Sequence, residues 1–216
     1  MKKSLCALIL GMLLIGSLRA ADLKTDSQSA LKADRSSMVN FPALTTAQEI
    51  TGAWQVTFDP KWGGPGQVNF EKLDDWIKRP EEGIKLYSGT ATYRKTFAFA
   101  GEAGNRAPLY LSLGSVKYIA RVKLNGKDLG VVWTAPWRVE ITGVVKTGAN
   151  ELEIDVINLW PNRRIGDASL PEEKRYTHSN IAFSPIYPQN PPERSGLFPS
   201  GLLGPVEIKS SVEKVK

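Results

Sequence analysis

The sequence predicts an all-β fold, an antiparallel jelly-roll β-sandwich carrying one short helix and a long covering loop. Three observations predict it. Short runs of alternating apolar and polar residues recur along residues 53–212. Glycine, proline and Asn-Gly turn signals separate them, which is the pattern of sandwiches and barrels. There is no βαβ rhythm and no internal repeat, so a parallel sheet and a solenoid are both excluded.

The elements follow in chain order. "AWQVTF" (53–58) alternates and is bounded by Gly52 and Pro60. "KWGGPG" (61–66) is loop by its glycine and proline content. "NFEKLDDWIK" (69–78) is the helix candidate: Phe70, Leu73, Trp76 and Ile77 share one helical face, Asn69 is a capping residue, and Pro80 follows. "TATYRKTFAF" (90–99) places Ala91, Tyr93, Phe97 and Phe99 on one side. "PLYLSLG" (108–114) and "IARVKL" (119–124) alternate in the same way. Asn125-Gly126 is the dipeptide a two-residue type I′ hairpin needs, because both positions require positive φ. "VVW" and "WRVEIT" follow, with Pro136 breaking any regular strand between Trp133 and Trp137. "ELEIDVIN" (151–158) turns Leu152, Ile154 and Val156 inward, and "PVEIKSSV" (205–212) closes the sandwich.

The ends read differently. Met1-Lys2-Lys3 is a short basic region, Leu5 to Ile15 an apolar one, and Leu18-Arg19-Ala20 precedes a tolerable cleavage point. Residues 1–20 are therefore expected to be a secretory signal peptide, an uncleaved anchor being the alternative. Export to the periplasm or the medium follows, with no membrane contact after cleavage. Residues 21–48 are expected to form a flexible leader, 49–212 the jelly roll and 213–216 a tail. Cys6 is the only cysteine, so the mature domain relies on core burial and not on disulfides. Removing Lys2, Lys3 and Arg19 lowers the net charge from +6 to +3. That balance, with no basic stripe interleaved with aromatics, argues against nucleic acid as a partner. The signal peptide directly before the sandwich leads to the expectation of a free-standing domain.

From Leu159 to Leu203 no clean strand is visible, although Trp160, Ile165, Ile181, Phe183, Tyr187 and Phe198 supply ample apolar surface. Loops this long are usually functional or disordered, and this one is expected to pack over the sandwich. A sugar needs an aromatic face for its C–H side and planar hydrogen-bonding groups for its hydroxyls. "WPNRRIGD" provides Trp160, Asn162, Arg163, Arg164 and Asp167 within eight residues, and Arg175, His178 and Asn180 follow in the same loop. Asp167 has two readings: ligand contact, or pairing with an arginine to pin the loop. Trp62, in its glycine loop, and Trp133 are stacking candidates, whereas Trp137, Trp54 and Trp76 are expected in the core.

Glycosidic hydrolysis needs two opposed carboxylates. Glu151, Glu153 and Asp155 have the spacing, but alternation with the inward residues makes them a solvated strand face. No catalytic residue is assigned. His178 is the only histidine, so a transition-metal site is not expected, and no cofactor is implied.

The run "LNGKDLGVVWTAPWRVEITGVVKTGANELEIDVIN" (124–158) resembles the sugar-binding domain of glycoside hydrolase family 2. The resemblance rests on Asn125-Gly126, Gly130, Pro136-Trp137, Glu140-Ile141-Thr142 and Gly148-Ala149-Asn150, with "YSGTATYRKTF" upstream and "SGLLGPVEI" downstream. "WTAPWRVEIT" and "NLWPNRRIGDASLPEEKR" are similar to the C-terminal sandwich of rhamnosidase-type, family 106-like enzymes, with Arg164 where those have leucine. The resemblance implies a galactose-binding-like fold and a structural calcium as an option. It implies a non-catalytic domain that binds carbohydrate or accompanies a glycosidase partner chain, because the family's catalytic carboxylates lie on a separate barrel. It also makes Asp167 the candidate for an acidic residue that the family's equivalent loop sends toward the active site. A glycoside hydrolase or a subunit of one, and a protein-interaction sandwich without a sugar site, are the alternatives.

Overall fold

The computed structural model describes residues 44–102, 107–178 and 196–211. The expected signal peptide (1–20), the tail (213–216) and Asn180 lie outside them.

Among the described residues twelve strands form the body: β1 (Leu44–Glu49), β2 (Trp54–Phe58), β3 (Gln67–Phe70), β4 (Thr90–Phe99), β5 (Leu109–Ser112), β6 (Ser115–Lys117), β7 (Ile119–Leu124), β8 (Lys127–Val132), β9 (Arg138–Glu140), β10 (Gly148–Ile157), β11 (Gly201–Gly204) and β12 (Glu207–Ser211). One sheet has the order β3-β2-β4-β10-β7-β8, a second β1-β12-β5-β9, and β11 pairs with β6. All named pairings are antiparallel. The inner faces supply one core, with Trp54, Val56, Phe58, Tyr93, Val122 and Ile154 from the larger sheet and Leu111, Val139 and Ile208 from the smaller. Glu153, on the outer face as its alternation requires, lies between Arg94 (2.9 Å) and Lys123 (2.8 Å).

The Asn125-Gly126 hairpin joins β7 to β8, with φ of 52° and 78°. Asn125 does more than turn the chain. Its Nδ2 donates to the Val144 carbonyl and to Asn150 Oδ1, both at 2.8 Å, and its Oδ1 accepts from the Glu151 N–H.

Three features differ from the sequence reading. The helix expected over 69–78 is not formed. Phe70 instead ends β3, paired with Trp54, and only Trp76–Lys78 makes a single 3-10 turn capped by Asp75. The apolar spacing that suggested a helix serves two separate insertions, since Phe70 enters the core from a strand and Trp76 from the 3-10 turn. Helix occurs elsewhere, in α1 (Glu82–Lys85) and α2 (Pro161–Ala168). Residues 21–43 of the expected leader lie outside the described residues, and residues 44–48, also assigned to it, instead belong to β1, which pairs with β12 at the edge of the smaller sheet.

Candidate functional site

A single cross-strand row fixes the geometry of the site. Phe58 of β2 pairs with Ala91 of β4, Ala91 with Val156 of β10, Val156 with Ala120 of β7, and Ala120 with Val132 of β8. β2, β10 and β8 all run toward this end of the sheet. The segments that leave there are therefore neighbours: 59–66 after β2, 158–178 after β10, and 133–137 after β8.

The first segment is a tight loop. Asp59 caps the turn Pro60–Trp62 by accepting from the Lys61 N–H at 2.9 Å, and Gly63 closes it at φ 78°. Gly63 is required twice over. Its φ disfavours an L side chain, and a Cβ there would stand 2.9 Å from the Tyr176 ring. Trp62 projects from this loop, 40% exposed.

The second segment begins with Asn158, whose Nδ2 donates to the Tyr87 carbonyl at 2.9 Å, and with Leu159, whose carbonyl accepts from Ser88 Oγ at 2.7 Å. Trp160 then precedes α2, and Pro161 takes the first helical position, where a missing N–H costs nothing. The Trp160 ring meets Trp62 edge to face, with centroids 5.9 Å apart and an interplanar angle of 83°.

The buried face of α2 ties the covering segment down. Asn162 Nδ2 donates to the Phe198 carbonyl (2.8 Å) and to Ser200 Oγ (2.7 Å), and its Oδ1 accepts from the Phe198 N–H (2.7 Å). Arg163 Nε donates to Asp167 Oδ1 at 2.9 Å, one helical turn apart. The other Asp167 oxygen accepts from both the N–H (2.8 Å) and the hydroxyl (2.6 Å) of Thr177. Burial pushes the Asp167 carboxyl up, but the Thr177 hydrogen bonds and the Arg163 charge outweigh it and hold the group below the usual carboxylate range. The Arg163 guanidinium also lies 4.8 Å from the centre of the Tyr176 ring, so Tyr176 is held between it and Gly63.

The result is an open cavity of about 510 Å³ lined by Trp62, Trp160, Arg164, Tyr176, Thr177 and His178. Of the candidates read from the sequence, Trp62, Trp160, Arg164 and His178 come together here. Asn162, Arg163 and Asp167 do not face it. All three are buried, and Asp167 makes the arginine pairing that the loop-pinning reading calls for. Arg175 is exposed outside the lining and donates to the Leu170 carbonyl. Trp133 stands 73% exposed on the segment after β8, also outside the lining. The sequence reading missed Tyr176 and Thr177. An aromatic-hydroxyl pair between Arg175 and His178 was a visible signal, but the facing glycine that seats Tyr176 lies 113 positions away in the chain.

The lining offers indole and phenol faces, a guanidinium and an imidazole, and among the described residues that line it there is no carboxylate. Among the described residues no three His, Cys, Asp or Glu side chains come together to hold a metal ion.

Comparison with known proteins agrees with this architecture. The family model described as "Glycosyl hydrolase 2 galactose-binding domain-like" matches residues 72–184, just over half the chain. A protein of Formosa agariphila named "Putative beta-glucuronidase" is 42% identical over 182 residues, covering 76% of this chain and 16% of its own length. The solved rhamnosidase from Novosphingobium sp. PP1Y superposes with a TM-score of 0.68 at 34% identity, over 81% of this chain and 16% of that one. A β-glucuronidase from Ruminococcus gnavus, solved with D-glucuronic acid, shares the fold at a TM-score of 0.51 and 20% identity, covering 81% of this chain and 30% of that one. The chain thus spans less than a third of the length of each of these relatives. By the family match, and with the sandwich it accounts for, this chain belongs to the glycosyl hydrolase 2 galactose-binding domain-like family.

Proposed function

We propose that this chain is an exported, non-catalytic carbohydrate-binding domain that takes a sugar in the Trp62–Trp160 cavity and accompanies a glycosidase. The observation that carries the reading is the lining itself. Two tryptophans and a tyrosine present apolar faces beside Arg164 and His178, whose N–H groups can donate to ring hydroxyls. Asp167, Arg163 and Gly63 hold Tyr176 and Thr177 in place before any ligand arrives, which lowers the ordering cost of binding. Export is supported by the basic and apolar N-terminal segments, and N-terminal sequencing of protein recovered outside the cytoplasm tests it.

The test of binding is a glycan array that includes rhamnose- and glucuronate-terminated glycans, since the relatives are named for those sugars, followed by calorimetry on the hits. Trp62→Ala and Trp160→Ala should each weaken binding about tenfold, the loss of one aromatic contact. A folded protein that binds no glycan overturns the reading and favours a protein-interaction sandwich.

A second reading is a subunit of a glycosidase whose catalytic carboxylates come from elsewhere. It is favoured by the relatives' names and by the 16% share of the Formosa and Novosphingobium proteins that this chain covers. Turnover of aryl-glycosides by the purified chain alone would overturn the non-catalytic assignment.

A further inference from the structure

Among the described residues the larger exposed apolar side chains are not scattered. Trp62, Leu159, Trp160, Tyr176, Val131 and Trp133 are the exposed large hydrophobic residues among those described, and all six belong to the end of the sheet where β2, β10 and β8 finish. Five fall in or beside the segments after β2 and β10 or at the last turn of β8. Trp133, the most exposed of them, plays no part in the cavity.

Its position is nonetheless fixed. Val132, just before it, packs against the core, and so does Trp137 four residues later. The Trp137 carbonyl accepts from the Leu113 N–H at 2.7 Å, and the Pro136 carbonyl accepts from the Arg138 N–H at 2.8 Å. The turn is thus anchored on both sides, with an indole standing in solvent between the anchors. A tryptophan held that way is a ready-made stacking surface.

The strand order sets its distance from the cavity. β10, which delivers Trp160, and β8, which delivers Trp133, are separated by β7 alone. Two inter-strand spacings amount to about 10 Å. From β2 to β8 there are four spacings, about 19 Å, too wide for one sugar ring.

We propose that Trp133 is a distal stacking subsite, so that the bound glycan is an oligosaccharide lying along this end of the sheet from the Trp62–Trp160 cavity to Trp133. This rests on the carbohydrate-binding reading above. The arrangement favours a glycan over a protein surface because Trp133 stands apart from the Trp62–Trp160 cluster, across β7 and its ion-paired Arg121. Val131 pairs across the ladder with Arg121, which is engaged with Asp128. A protein partner wants a contiguous apolar centre with polar groups at its rim. A sugar chain presents an apolar ring face and hydroxyl edges at intervals, which this spacing matches.

The experiment is calorimetry with size-fractionated rhamnogalacturonan and glucuronoxylan oligosaccharides, from monosaccharide to hexasaccharide, on the full chain. The unmodified protein should bind the longer members more tightly. Trp133→Ala should remove that gain, weakening hexasaccharide binding about three- to tenfold and leaving the shortest binder unchanged, while Trp133→Phe retains most of it. Trp62→Ala should weaken every length. If Trp133→Ala changes nothing, or weakens all lengths equally, the distal subsite is overturned while the cavity reading stands on the Trp62 result. If no length binds the unmodified protein, both fall.

Discussion

Asp167 and Arg163 carry the covering segment at the residue scale. Each is almost fully buried, and each compensates a charge that would otherwise be stranded. Asp167→Ala leaves the Arg163 guanidinium without its carboxylate and Thr177 without its acceptor. It should cost about 3–5 kcal/mol, the range for breaking a buried pair, read as a lowered urea midpoint. Glycan affinity should fall with it, because Thr177 and Tyr176 lose their supports. A variant with unchanged stability would show that the pair contributes nothing. The residue types in "WPNRRIGD" are readable as sugar-binding groups from the sequence alone, yet three of the five candidates, Asn162, Arg163 and Asp167, turn inward. The sequence holds the chemistry of Asn162, Arg163 and Asp167 but not the rotation of α2, which is decided by Phe198, Ser200 and Thr177 packing from distant positions. Trp62 was legible for the opposite reason: a tryptophan in a glycine turn has little backbone to shelter it.

Two glycines with the same left-handed φ separate strain from contact at the element scale. Gly126 (φ 78°) has nothing within 4 Å of where a Cβ would stand, so Gly126→Ala should cost only conformational strain, about 1–2 kcal/mol. Gly63 has the same φ, but its Cβ would meet Tyr176 at 2.9 Å. Gly63→Ala should therefore cost more and also displace Tyr176 from the cavity wall, lowering glycan affinity where Gly126→Ala does not. Thermal melts and calorimetry on the two variants check this, and equal effects on affinity would remove Tyr176 from the site. Strands with strict alternation, such as Thr90–Phe99, were legible to the residue, because one face is buried and the other solvated. The false helix over 69–78 arose because Phe70, Leu73, Trp76 and Ile77 satisfy a 3.6 period locally. Pairing of Phe70 with Trp54 and the hydrogen bond from the Trp76 indole to Tyr93 Oη, at 2.6 Å, outweigh that weak helical preference. β1, only slightly apolar and isolated in a polar region, becomes a strand through β12, which no local pattern reveals.

For the molecule as a whole, the charge pattern sets the response to acid. Among the described residues six carboxyls lie below their ordinary range. Asp128 is lowered to about 2 by the hydrogen bonds of Arg121 and the Gly130 N–H, Glu153 by Lys123 and Arg94, Glu81 by Arg79, and Glu207 by Lys209. In Asp74 the Asp75 N–H and Lys78 outweigh the upward push of burial, and Asp167 behaves likewise through Thr177 and Arg163. A carboxyl with a depressed folded pKa binds fewer protons folded than unfolded at intermediate pH. Its stabilisation is therefore complete above the unfolded value, near pH 4, and is lost as pH falls through the folded value. Unfolding free energy should hold level from about pH 7 to 5 and then decline from about pH 4 toward pH 2. Salt divides the contributors. Arg121–Asp128, Arg94–Glu153 and Lys123–Glu153 lie on the solvated sheet face, where ions screen them and each pair adds little. Asp167 is buried, so its share of the acid response should persist at molar salt. Urea titrations of the unmodified protein and Asp167→Asn, at low and molar salt across that pH range, separate the two. The unmodified protein should keep a residual acid slope at molar salt that Asp167→Asn lacks. Identical slopes in the two proteins would mean that the acid response belongs to the exposed face and not to the pair that secures the cavity.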